Sequence, residues 1–217
     1  MLTNTGVVQS ASASGKSNIT MSSLVNPRMY DAFEKKGLVL KALVREKISE
    51  ALSGLPSTLH RMLKVQCILS GSSISSIYHN ETINDFDLWF KEKTMIEGSK
   101  GYVLHQHERY IMEYGETDAY AGLEPNNEKY NAKVITNNAI TLKGKIQLIT
   151  LGEYDQQRKY FDFVHCMPFY DIEKDIFYIS PEQMECISEK KLKMNPGGRT
   201  PTEWRISKFL RRDWGWY

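Results

Sequence analysis

The stretch from Ile68 to Phe90, ILSGSSISSIYHNETINDFDLWF, constrains this chain more than any other. It reads as a hydrophobic strand, a turn of small residues (Ser70, Gly71, Ser72, Ser73), a short helix, a polar loop, and a second strand carrying Asp85 and Asp87. Side chains two apart on a strand share a face, so Asp85 and Asp87 point one way while Phe86 and Leu88 point the other. Carboxylates held side by side repel, which raises one pKa or recruits a cation. An all-oxygen donor set favours a hard ion such as Mg2+, with Mn2+ as a substitute, that bridges to substrate phosphates. The Gly71-Ser72 turn supplies the other half: without bulky side chains, backbone N–H groups at a helix start can approach a triphosphate. Gly71, Ser72 and Ser73 are therefore candidate nucleotide-binding residues, and Asp85 and Asp87 candidate metal ligands.

A third carboxylate stands out further on. The run Lys159-Tyr160-Phe161-Asp162-Phe163-Val164-His165-Cys166 reads as an apolar strand interrupted by Asp162. A carboxylate amid Phe161, Phe163 and Val164 is costly to bury without a partner. Alternation puts His165 on the opposite side of such a strand, in a structural place.

These residues resemble the polymerase beta-like nucleotidyltransferase superfamily, whose signature is a hydrophobic residue, Gly, then Gly or Ser, followed by an acidic-x-acidic strand. Leu69 or Ser70, Gly71 and Ser72, then Asp85-Phe86-Asp87, fit it. Within the superfamily the chain looks most like phage-type nucleotidyltransferase-like proteins and the head domain of CCA-adding enzymes. Ser75 and Ser76 stand where the CCA-type pattern has Arg-Asp. The resemblance implies a third acid on a later strand beside the acidic-x-acidic strand, and Asp162 is the matching position. It implies a two-metal displacement in which Asp85, Asp87 and Asp162 are catalytic and metal-binding. A nucleoside monophosphate would pass from an NTP, with ATP the expected donor, to a hydroxyl of RNA, protein or a small molecule.

The flanking chain is read in the same way. Residues 1–26 are rich in Ser, Thr, Asn and Gly and read as a flexible arm. Residues 27–66 read as helices, with Met29, Phe33, Leu38, Leu40, Val44 and Ile48 on one apolar face and a break expected at Gly37. A helix is expected around Tyr102 to Tyr114, and an irregular loop from Gly115 to Asn131. Short strands follow at Val134 to Thr136, Ala139 to Leu142, Lys145 to Thr150 and Ile176 to Ile179, completing a nucleotidyltransferase core over 67–180. Residues 181–217 form a basic helical appendage: one helix from Pro181 to about Leu192 and another from Thr202 through Trp214. The latter resembles the Arg-x-x-Arg-Phe segment that joins head to neck in CCA-adding enzymes, with Lys208 for the second Arg. Arg205 and Lys208 are accordingly candidate nucleotide or phosphate contacts, and Trp204, Trp214 and Trp216 interleave with these cations in a pattern suited to nucleic acid.

A net charge of +2 carries no global nucleic-acid signal, so any basic surface is local. Cys67, Cys166 and Cys186 lack metal or disulfide spacing, no apolar run reaches membrane-spanning length, and the cytoplasm is the expected compartment. The expected fold is α+β, a mixed sheet flanked by helices with a C-terminal helix. The expected function is metal-dependent nucleotidyl transfer. The alternative is a phage-type structural or binding protein that keeps this fold without turnover, with the protein partner unspecified.

Overall fold

A computed structural model of the chain describes residues 27–55, 57–93, 96, 132–135 and 138–217. The expected arm over 1–26, the helix around Tyr102 to Tyr114 and the loop from Gly115 to Asn131 lie outside the described residues.

The first helix, α1 (Pro27–Ser53), is continuous through Gly37 rather than broken there. Its buried stripe, Leu40, Val44, Ile48 and Leu52, recurs every four residues and keeps one face on the core. Leu38, expected on that face, is exposed. After the turn at Gly54 and Leu55 comes α2 (Ser57–Gln66), which leads directly into β1 (Cys67–Ser70).

Next come α3 (Ser72–Tyr78) and β2 (Phe86–Phe90), in the order the central stretch predicts. Strands β3 (Ala132–Ile135), β4 (Ala139–Leu142) and β5 (Ile146–Ile149) follow. A short helix α4 (Tyr154–Gln157) precedes β6 (Phe169–Asp171) and β7 (Ile176–Tyr178). The described strands β1 to β7 form one sheet in the order β3-β4-β5-β2-β1-β6-β7. β2 lies parallel to β5 and antiparallel to β1, so the sheet is mixed.

The alternation in β2 decides what each face of the sheet does. Phe86, Leu88 and Phe90 enter the main core together with Cys67 and Leu69 of β1 and Ile146 and Leu148 of β5. The helices α1, α2, α3 and α5 (Pro181–Ser188) cover that face through Val44, Leu63, Ile74 and Ile187. Trp89 faces the other way and packs with Ile68, Ile149 and Tyr154. Asp87 shares that second face, as period-two geometry requires.

The chain ends as β8 (Lys191–Leu192), α6 (Glu203–Leu210) and β9 (Gly215–Trp216), with β8 and β9 paired in parallel. Ser180 caps α5 reciprocally with Gln183, and Thr202 accepts from the Arg205 N–H at the start of α6. The expected long helices are shorter than their sequence pattern: α5 stops at Ser188 and α6 at Leu210. Phe163, Cys166, Leu192, Phe209 and Trp214 make a second core that fixes this appendage to the body.

Candidate functional site

The junction of β1 and α3 sets the site. Ser70 is fully buried and donates to the Pro168 carbonyl at 2.8 Å, anchoring the end of β1. Gly71 then adopts φ 103°, a conformation that side-chain-bearing residues rarely adopt, and its N–H donates to the Cys166 carbonyl at 3.2 Å. A Cβ at Gly71 would lie 2.5 Å from Oδ2 of Asp87. Only a glycine lets the turn and the acid strand approach this closely.

Beyond Gly71, the first N–H groups of α3 have no partner within the helix, as at any helix start. Ser72 and Ser73 are both buried, and the Ser73 hydroxyl has no hydrogen-bond partner among the described residues. An orphaned buried hydroxyl at a helix start is an unsatisfied polar group that calls for a partner.

Asp87 lies on β2 as expected, whereas Asp85, expected on the same strand, immediately precedes that strand in the loop; the two carboxylates still interact. Burial pushes the Asp87 carboxyl up to about 7, and the neighbouring Asp85 charge adds to the rise, while Arg205 and Lys208 oppose it. Repulsion between these acids is therefore only partly offset by the two cations.

Asp162 arrives differently from expected. The segment from Lys159 to Cys166 is not a strand: Arg158–Tyr160 and Val164–Cys166 are turns of 3-10 helix, and only Phe163 makes an isolated bridge, to Met194. Its backbone bonds go to the following appendage, with the Asn195 N–H donating to the Asp162 carbonyl at 2.8 Å and the Val164 N–H to the Lys193 carbonyl at 2.9 Å. The later strand lying beside the acid strand is β5, and the residue in register with Asp87 there is Gln147.

The Asp162 side chain is 8% exposed and has the partner its burial demands. Its Oδ2 accepts from Arg205 Nε, and its Oδ1 accepts from the Phe163 N–H at 2.9 Å. Arg205 also reaches the Cys166 sulfur with Nη2, at 3.5 Å. Burial pushes that thiol up to about 12, against the pull of Arg205, so it stays protonated. The other two cysteines, Cys67 and Cys186, are also buried and unpaired.

Helix α6 closes the site with one face. Lys208 donates to the Ser72 hydroxyl at 3.5 Å. Burial holds Lys208 below its ordinary range, opposed by the Asp85 charge and helped by Arg205 and Arg212. Arg212, just past the helix, donates from Nη1 to Ser76 Oγ at 3.1 Å and from Nη2 to Asn84 Oδ1 at 3.5 Å. It also pairs with Glu81, which Lys190 meets at 2.8 Å. Arg212 and Glu81 were absent from the sequence-derived set. Arg212 lies beyond the last turn of α6, so helical spacing does not place it, and Glu81 sits in the loop before β2; only the contacts between them mark either residue.

His165 is fully buried between Phe209 and Trp214, with ring centroids 4.5 and 4.2 Å away. Burial, then the Arg205 and Lys208 charges, hold it well below the usual histidine range. It is a neutral packing residue with no reach into the site.

The donors test what ion the site suits. Among the described residues no three His, Cys, Asp or Glu side chains group as a metal set. Both Asp162 oxygens accept hydrogen bonds, so the carboxylates open to an ion are Asp85 and Asp87. Two carboxylates alone are an oxygen donor set of the kind that suits a hard ion such as Mg2+ only when further ligands come from outside the chain.

The family model described as "Gabija anti-defense 2 family protein" matches residues 41–190, well over half of the chain. That interval contains Gly71, Ser72, Ser73, Asp85, Asp87 and Asp162 and ends before α6. No curated protein and no solved structure matches the chain.

Proposed function

The chain belongs to the Gabija anti-defense 2 family, and we propose that it acts as a metal-dependent nucleotidyltransferase of the polymerase beta-like fold. A nucleoside monophosphate would pass from an NTP, ATP first among the candidates, to a hydroxyl acceptor with release of pyrophosphate. The observation that carries the reading is the approach of Gly71 to Asp87, which sets a helix start and an acid pair so close that no Cβ fits between them. Like charge and an orphaned polar group gathered at one junction cost stability, which favours a functional reason for placing them there.

In this reading Ser72 and Ser73 hold phosphate oxygens through backbone N–H groups and the free Ser73 hydroxyl, with Lys208 beside Ser72 neutralising charge. Asp85 and Asp87 would hold Mg2+ or Mn2+, which would supply charge stabilisation when bound. Arg205, oriented by Asp162, presents its remaining guanidinium N–H groups to the transferred phosphoryl. The acceptor oxygen bonds to the alpha-phosphorus as the bond to pyrophosphate breaks, and its proton leaves to the carboxylate cluster. The family name speaks of anti-defence against Gabija; transfer onto a host or defence component, in the host cytoplasm, would be the means.

The experiment is incubation of the purified protein with each alpha-labelled NTP, Mg2+ or Mn2+, total RNA and cell lysate, beside an Asp85→Ala/Asp87→Ala control. Label entering RNA, protein or a small molecule only with intact acids supports transfer. Absence of labelling together with absence of metal-dependent NTP binding overturns it.

One observation favours a second reading, a binding protein that keeps this fold without turnover. Gln147 stands in register with Asp87 on β5, and Asp162 is tied to Arg205, which leaves two open carboxylates. That protein would bind NTP and metal without forming product.

A further inference from the structure

Three exposed aromatic side chains around the site each sit beside a cation. Trp204 is 70% exposed, and Lys208 Nζ lies 5.8 Å from its ring centroid. Tyr217 is 60% exposed, with Lys193 Nζ 4.1 Å from its ring. Tyr160 is 42% exposed, with the Arg199 guanidinium 5.8 Å from its ring.

The Tyr160 and Tyr217 platforms are joined through the 192–199 segment, and Trp204 is tied to the same region through its neighbour Arg205, the partner of Asp162. The Arg199 N–H donates to the Tyr160 carbonyl at 3.1 Å, and the Tyr217 N–H to the Leu192 carbonyl at 3.2 Å. Asn195 ties the same segment to the Lys159 and Phe161 carbonyls at 3.0 and 2.9 Å. The surface also brackets the candidate centre: Tyr160 precedes Asp162 by two residues, and Trp204 immediately precedes Arg205, the partner of Asp162.

From this arrangement we propose that the surface binds single-stranded nucleic acid, which makes such a strand the acceptor of the transfer proposed above and rests on that reading only for the word acceptor. An exposed ring next to a cation matches a nucleotide unit, in which a flat base adjoins a phosphate. A duplex hides its base faces, so free rings select a single strand. The main competing charges are Glu182 and Glu189, which pair with Lys193 at 2.7 Å and Lys191 at 3.0 Å. Both pairs are solvent-exposed, so a phosphate can take the place of the carboxylate at little cost.

The test is fluorescence anisotropy of a short fluorescein-labelled RNA of mixed sequence, single-stranded or annealed to its complement, with the full chain and with neither NTP nor divalent metal. The single strand is expected to bind more tightly than the duplex and to weaken as salt rises. Each of Trp204→Ala, Tyr217→Ala and Tyr160→Ala is expected to weaken it by about fivefold or more, while Trp204→Phe and Tyr217→Phe retain it. Circular dichroism of each variant separates lost stacking from lost fold. No binding, equal affinity for single strand and duplex, or indifference to all three alanine variants overturns the proposal. Binding without transfer removes the Proposed function and leaves this surface standing. Transfer into protein or a small molecule without RNA binding does the reverse, and marks the surface as a protein contact.

Discussion

Gly71 and Asp87 are matched to each other: the space a methyl group would need at position 71 is occupied by Oδ2 of Asp87. Gly71→Ala therefore meets both a clash and a positive φ of 103°. It is expected to cost about 1–3 kcal/mol of stability and to abolish nucleotide binding. Shortening the acid with Asp87→Ala removes the clash but not the φ strain. The double variant should recover more than about 0.5 kcal/mol relative to additivity in urea unfolding, without recovering function.

Asp87 gives a pH signature with a defined sign. Its folded pKa is raised to about 7 by burial and by Asp85. The folded state then holds a proton that the unfolded chain has released, so this group favours folding at low pH and loses that contribution as pH rises toward 7 and above. Asp87→Asn should stabilise the fold at pH 8 by an amount on the order of 2 kcal/mol, seen as a higher melting temperature, and the gain should shrink toward pH 4. Under the proposed function, Mg2+ affinity should rise over the same interval, with a proton released on binding; calorimetry in buffers of different ionisation enthalpy measures both, and absence of Mg2+ binding counts against the proposal.

Arg205 and Asp162 should show the asymmetry of a buried pair. Arg205→Ala leaves a carboxylate that is 8% exposed without its cation and is expected to cost about 3 kcal/mol. Adding Asp162→Ala should return part of that loss in thermal melts. If Asp162 served only as an independent metal ligand, the two losses would add.

His165 reports on the second core. Neither ring nitrogen has a hydrogen-bond partner among the described residues, and the ring sits among Phe163, Phe209 and Trp214. His165→Phe is expected to be neutral or stabilising by about 1 kcal/mol, and His165→Ala to cost about 2–4 kcal/mol through a cavity. Because its pKa is depressed, the wild-type contribution is complete above about 6.5 and declines as pH falls further, a decline His165→Phe should remove.

The strand-turn-helix-strand unit was legible because each part has its own local signal. Apolar runs mark β1 and β2, alternation places Asp87, and small residues mark the turn. The Asp162 segment misled for a physical reason. Phe163 does bury its side chain, but against Phe209 and Trp214, with its neighbours' backbone bonded to Lys193 and Asn195 rather than within the main sheet, while Phe161 is half-buried. Apolar alternation records burial, and burial here is supplied by an appendage. Arg205 and Lys208 were legible as cations of one helix, while Arg212 lay past its end and was recognised only through Ser76, Glu81 and Asn84.

The cations of α6 reach back across long stretches of chain: 136 residues separate Lys208 from Ser72, and 43 separate Arg205 from Asp162. Contacts of that separation close large loops and form late in folding. During synthesis the acid strand emerges from the ribosome well before the guanidinium and ammonium groups that complete its surroundings. A nascent chain therefore passes through a period in which it carries the carboxylates without their counter-charges, and it gains competence only when its last helix docks.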